Sequence, residues 1–223
     1  MGLIEVLLLG LALGIKHALE PDHLIAVSTL LGQEGQILPA LRMGAWWGLG
    51  HSTTLALGIG LLFMLKLPLR AHHLLYFELP VALMLVFLGL KTLLKLSPGG
   101  SALLFHQHGR WVHVHALNQQ GLPEAQVRNQ LQGFGIGLIH GLAGSGAMAL
   151  FLAAQLADWR QVLLYTLSFG LGSLLGMTLV SCGMALPFLA TRQKPLLHAG
   201  LSLLTALLSL GLGGEILWAL LHA

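Results

Sequence analysis

Six apolar runs, at about Leu3–Leu31, Leu38–Leu65, Leu74–Leu94, Phe134–Leu156, Val162–Leu189 and Leu196–Leu221, take up most of this 223-residue chain. A bilayer core about 30 Å thick is crossed by roughly 20 apolar residues in a helix, and inside it every backbone N–H and C=O must be satisfied within the segment. Runs of this length therefore predict an all-α, polytopic membrane protein of about six transmembrane helices. Charged residues make up 9% of the chain against 56% hydrophobic ones, where a soluble domain carries about 25% charge. The basic residues are scattered singly, so the net charge of +3 describes no nucleic-acid surface. The start of the chain carries Glu5, no basic stretch and no small-residue cleavage site before its first polar cluster, and reads as a retained helix. Cys182 is the single cysteine, which excludes an internal disulfide or a two-cysteine relay.

One long connection, roughly Lys95 to Gln132, separates two halves of three runs each. The halves resemble one another. Gly10-x3-Gly14-x2-His17-Ala18 corresponds to Gly133-x3-Gly137-x2-His140-Gly141 at a shift of 123, and Trp47-Gly48-Leu49-Gly50 to Phe169-Gly170-Leu171-Gly172 at a shift of 122. The expected organisation is a first three-helix repeat over 1–97, a connecting loop over 98–132 and a second repeat over 133–223. Three is an odd number, so the second half enters the membrane from the opposite side, as a 3+3 inverted repeat of the kind that places a transported ion between the halves. Gly10/Gly14/Ala18 and Gly133/Gly137/Gly141 are small residues four apart, which let helix backbones approach closely.

Lysine and arginine set the expected orientation. Lys66, Arg70 and Arg160 fall on the side of the N-terminus, and Arg42, Lys95, Arg110, Arg128, Arg192 and Lys194 on the other. The bias favours both termini outside and the long connection in the cytoplasm, in the inner (cell) membrane of a bacterium. Self-association into a homo-oligomer is compatible with the sequence.

The first run carries Gly14-Ile15-Lys16-His17-Ala18-Leu19-Glu20-Pro21-Asp22-His23-Leu24 at its centre. On the insertion scale its three charged residues cost roughly 8–10 kcal/mol, against roughly 0.3–0.6 returned by each surrounding Leu, Ile or Val. Ionisable groups at that depth mark a pathway or a binding site. On an unbroken helix His17, Asp22 and His23 would point about 100–140° apart, too divergent to close on one ion. Pro21 lacks an N–H and clashes with the carbonyl of His17, so the helix is expected to break inside the motif and bring the three together. Lys16 and Glu20, four apart, are expected to neutralise one another, leaving Asp22 as the anionic ligand. Imidazole plus carboxylate without thiolate suits Ni²⁺, Co²⁺ or Zn²⁺ and not Cu(I). The plain alternative is that both histidines pair with Asp22 and Glu20 only to tie helices together; five polar groups within eight residues favour a functional site.

His17-x4-Asp22-His23 resembles the His-x4-Asp-His signature of the nickel/cobalt transporter superfamily, and Leu49-Gly50-His51-Ser52-Thr53 is similar to that family's second signature. The resemblance covers most of the chain in run order. It implies that His17, Asp22 and His23 bind the transported metal, with His51 beside the same path. Glu20 stands where larger members have Asp, and their later Asp-Thr motif is replaced by His140-Gly141-Leu142-Ala143-Gly144-Ser145. The match is closer to the shorter six-helix branch that includes urease-accessory and nickel/cobalt efflux membrane proteins.

Without that resemblance His51 reads as a core histidine bonded to a carbonyl. His140 becomes a candidate through its correspondence to His17. In the long connection, Phe105 to His115 alternates at period two about a Gly-containing turn, which predicts a short β-hairpin with His106, His108, His113 and His115 on one face, able to hold a metal ion. The plain reading there is a solvated hairpin.

The sequence thus points to a carrier moving a divalent transition metal, nickel first and cobalt as its relative. The ion is cargo, the bilayer the other partner, and no resident cofactor is called for. The rival from another class is a membrane-bound acyltransferase-like enzyme using the His-x4-Asp pair, although such a pair works on an accessible loop, whereas this one sits in mid-run. A zinc protease is excluded by the lack of His-Glu-x-x-His.

Overall fold

The chain follows the order α1 (Leu3–His17), α2 (Pro21–Leu31), α3 (Ile37–Leu65), α4 (Ala71–Leu96), β1 (Leu104–His108), β2 (Trp111–His115), α5 (Pro123–His140), α6 (Ser145–Ala154), α7 (Trp159–Thr191) and α8 (Pro195–Leu221). The structure, a computed structural model, describes residues 2–31, 36–65, 71–96, 104–108, 111–115, 123–141, 143, 145–156 and 158–222. The turn at Gly32-Gln33-Glu34-Gly35, the interface residues Lys66, Pro68 and Arg70, and Leu142 and Gly144 of the fourth run lie outside the described residues.

Among the described residues four helices are long and apolar enough to cross a membrane: Ile37–Leu65, Tyr76–Leu96, Trp159–Thr191 and Pro195–Leu221. Leucines on them such as Leu57, Leu167 and Leu179 are 68%, 63% and 71% exposed, as a lipid-facing surface requires. The chain is an integral membrane protein, and among the described residues its elements are helices but for the β1–β2 ribbon. The other two apolar runs are not single helices. At about 1.5 Å per residue, the 15 residues of α1 and the 11 of α2 are each too short for the bilayer core.

The break in the first run falls where Pro21 predicts it. With no N–H on Pro21, the carbonyl of His17 instead accepts from Glu20 N–H (3.1 Å), and Leu19 N–H reaches the carbonyl of Lys16 (3.0 Å). Pro21 then opens α2 at the first helical position, where its fixed φ suits a helix start. The fourth run breaks at the corresponding place, α5 ending at His140 and α6 beginning at Ser145, although no proline stands there. Helix α5 also begins at Pro123, ahead of the expected start of the second repeat at 133, because Glu124, Gln126, Arg128 and Gln132 are good helix formers despite their polarity.

Helix packing is reciprocal between the halves. A Cβ on Gly14 of α1 would meet the carbonyl oxygen of Phe169 and the amide nitrogen of Ser173 on α7; one on Gly137 of α5 would meet the carbonyl oxygen of Trp47 and the amide nitrogen of His51 on α3. Gly172 lies in the same way against Leu11 and Ile15, and Gly50 against Phe134 and Leu138. Each broken helix therefore beds against the long helix of the other half, side by side and in the same direction: Gly10, Gly14 and Ala18 follow Ser168, Ser173 and Gly176. Between the long helices of the two halves the direction reverses. Gly44 faces Ser181, Gly48 faces Leu174 and Ser52 faces Gly170, so α3 and α7 are antiparallel; Gly89 against Leu210 and Gly213 against Val86 make α4 and α8 so too. Ser52 Oγ donates to the carbonyl of Gly170 (3.0 Å) and Ser209 Oγ to that of Leu85 (2.7 Å), securing both crossings.

Candidate metal centre

Both broken helices end on the same spot. His17 closes α1, His140 closes α5, Asp22 and His23 lie in the first turn of α2, and His51 sits in the middle of α3. His17, His23, His51 and His140 are at most 1% exposed. Ring centroids lie 4.5 Å apart for His17 and His23, 4.6 Å for His17 and His51, and 4.4 Å for His23 and His140. The five residues expected from sequence are thus gathered into one buried cluster.

Asp22 bridges its two sides. One carboxylate oxygen is 3.0 Å from Nδ1 of His23 and also accepts from that residue's own amide at 2.9 Å; the other is 3.0 Å from Nε2 of His140. A carboxylate only accepts, so each imidazole donates a proton to Asp22, and in the neutral ring the lone pair falls on Nε2 of His23 and on Nδ1 of His140. Both of those atoms are buried and find no partner among the described residues. His17 repeats the arrangement with Glu20, whose carboxylate lies 3.1 Å from Nδ1. This differs from the expected Lys16–Glu20 pair: Lys16 is exposed, and the turn ahead of Pro21 carries Glu20 back under His17. Nε2 of His17 then faces Nε2 of His51 at 2.6 Å.

Two sets of ligand atoms result, each lying within 4.8 Å of one another: one from His17, His23 and His51, the other from Asp22, His23 and His140. They share His23. A buried histidine whose second ring nitrogen is held by a carboxylate is the usual form of a metal-ligating imidazole, since the outer partner fixes tautomer and ring plane. The carbonyl ends of α1 and α5 also meet at the cluster, and a helix C-terminus favours positive charge. The arrangement can take a divalent cation out of water and replace its hydration with nitrogen and carboxylate donors.

Trp47 and Phe169 form the walls. Trp47, fully buried, stacks on His23 (5.7 Å, 10° between planes) and lies 5.5 Å from His140, while Phe169 lies 5.6 Å from His17. Sequence reasoning met these two only as a repeat match; their common place in the two halves was the available signal. The halves do not contribute equally. At the same shifts, Ser173 stands where His51 stands and Gly146 where His23 stands, and the Ser173 hydroxyl finds no partner among the described residues. Four of the five side chains come from the first half.

Fold and site together define a helical membrane protein with a buried His/Asp cluster able to hold a metal ion. The sequence is 33% identical to the urease accessory protein UreH of Bacillus sp. (strain TB-90) over 211 residues, which are 93% of this chain and 88% of that protein. The chain belongs to the family of that protein. No family model and no solved structure matches it.

Proposed function

We propose that this protein carries a divalent transition-metal ion, nickel with cobalt as its relative, across the membrane through His17, Asp22, His23, His51 and His140. The observation that carries the reading is the buried cluster at the meeting point of two broken helices. Interrupted helices at membrane depth occur where backbone lines a cavity or is covered by protein, and in carriers they supply the ion site. An accessory role toward urease, taken from the relative's name, and the resemblance of His17-x4-Asp22-His23 to nickel/cobalt carriers agree with metal as the cargo.

In this reading α1 with α2, and α5 with α6, each cross the bilayer as one discontinuous helix, giving six crossings. The opposed directions of α3 and α7 and of α4 and α8, with the reciprocal glycine contacts, support an inverted repeat. The Lys/Arg bias puts both termini outside and the connection between α4 and α5 in the cytoplasm. The ion sheds water on reaching His17 and His23, is held by the cluster, and leaves on the far side when the helices around it rearrange. The acyltransferase-like alternative is disfavoured by the partners: Asp22 holds His23 and His140, and the carboxylate beside His17 is Glu20.

Uptake of Ni²⁺, Co²⁺ and Zn²⁺ into vesicles containing the purified protein tests the proposal. Flux of Ni²⁺ that disappears with His17→Ala, Asp22→Ala and His23→Ala, each inserted normally, is the expected result. Absence of flux of any of the three ions in the wild type would end the carrier reading.

A further inference from the structure

Glu78 is an ionisable group inside the apolar helix α4, and the centre described above does not use it. Val81, Leu85, Leu88 and Thr92 form the buried stripe of α4, while Leu79, Leu83, Phe87, Leu90 and Leu94 are exposed. Spacings of three and four residues put Glu78 at the head of the buried stripe. Its carboxylate therefore points toward the neighbouring helices and not toward lipid, and it is half-buried there. Among the described residues it makes no hydrogen bond and no ion pair.

Asp22 is the charge it faces. The two carboxylates lie within electrostatic reach of one another. Helix register agrees, because Thr29 and Leu30 of α2 share a cavity with Leu88, Lys91 and Thr92 of α4. With Asp22 in the first turn of α2, the two helices run side by side in the same direction, and Glu78 stands about one turn of helix beyond Asp22. Access to the centre also runs past its carboxylates: the four histidines are at most 1% exposed, whereas the side chains of Asp22 and Glu20 are 13% and 25% exposed. Asp22 is paired only with imidazoles, so neither it nor Glu78 has a lysine or arginine partner among the described residues. Two like charges so placed inside a membrane repel one another until a cation comes between them.

We infer that Glu78 is the first carboxylate met by a divalent cation on its way to Asp22, a positioning residue that draws the ion in by charge. This role rests on the buried cluster being a metal centre. It also sets the side of approach. Glu78 lies toward the start of α4, which in the topology proposed above is the outer side, and Lys91, which repels a cation, lies toward the other end of the same helix.

Stopped-flow quenching of tryptophan fluorescence by Ni²⁺, in the full-length protein held in detergent, tests it, because Trp47 stacks on His23 and reports the ion's arrival. The phase that His17→Gln/His23→Gln removes is the one that belongs to the centre. Glu78→Gln should slow the association rate of that phase about tenfold, the effect of losing a steering charge, with little change in the dissociation rate. Glu78→Asp should restore most of the wild-type rate, and added salt should slow the wild type more than Glu78→Gln. A side chain that only packed α4 against its neighbours would not produce that pattern. Equal association rates in the wild type and Glu78→Gln overturn the inference and leave the centre standing; absence of such a phase in the wild type overturns the centre and the inference with it. If Glu78→Gln loses its helical circular dichroism, modification of Glu78 by dicyclohexylcarbodiimide in the unaltered protein decides instead. That reagent attacks the protonated carboxyl, so Ni²⁺ beside Asp22 should slow it about tenfold by keeping Glu78 ionised, and an unchanged rate overturns the inference equally.

Discussion

Asp22 holds the two sides of the cluster together, because each of its oxygens takes a proton from a different imidazole. Asp22→Asn should abolish Ni²⁺ flux in vesicles while leaving insertion intact, since an amide accepts at one oxygen only and its NH₂ faces a second donor. Wild-type flux in Asp22→Asn would show that the carboxylate merely fills space. Glu20 acts one step further out, through His17. Glu20→Gln should raise the Ni²⁺ concentration for half-maximal uptake about 10–100-fold with less change in the maximal rate, the usual consequence of removing the partner that fixes a ligand's tautomer. His17, Asp22 and His23 were legible in the sequence because polar groups inside an apolar run have few other reasons to be there. Trp47 was not, since its role comes from stacking on a histidine 24 positions away in the chain. Glu20 was assigned to Lys16 by helix spacing, a rule that fails once the helix is broken between them.

At the scale of elements, Pro21 turns a scattered set of side chains, His17, Asp22 and His23, into a converging one. Pro21→Ala restores the missing N–H, allows α1 to run on into α2, and should abolish flux while leaving the amount of inserted protein unchanged or higher. Measured together, flux and insertion separate this from simple misfolding. The glycines make a sharper pair. A Cβ on Gly137 would run into the backbone of Trp47 and come within 2.8 Å of the amide nitrogen of His51, whereas one on Gly135 meets nothing within 4 Å. Gly135→Ala should be neutral or stabilising by up to about 1 kcal/mol, as for Gly to Ala in a helix interior; Gly137→Ala should lower the thermal midpoint and the flux together. Equal behaviour of the two would contradict the close packing of α3 on α5. The first break could be read from its proline. The second could not, because Gly141 and its neighbours resemble packing glycines, and only the shift that relates His140 to His17 pointed to it.

Across the whole molecule, the antiparallel packing of α3 on α7 and of α4 on α8 goes with the proposed inverted topology, which labelling can check. Single cysteines at positions 70 and 194, in a Cys182→Ala background, should react with an impermeant reagent from opposite sides, position 70 in intact cells and position 194 only after lysis. Reaction of both from one side would rule out the inverted repeat. The doubled pattern of glycines and histidines was visible in the sequence as two short matches. What linear comparison could not convey is which helix each copy lies against. Each broken helix is seated on a long helix of the other half of the chain, so neither half buries its own glycines. Cutting the chain in the connection after Leu96 would yield two fragments that each lack the surface their own glycines were shaped for. Produced separately, neither should persist; produced together, they should recover metal transport, in the manner of a clasp whose two hands hold only when interlaced.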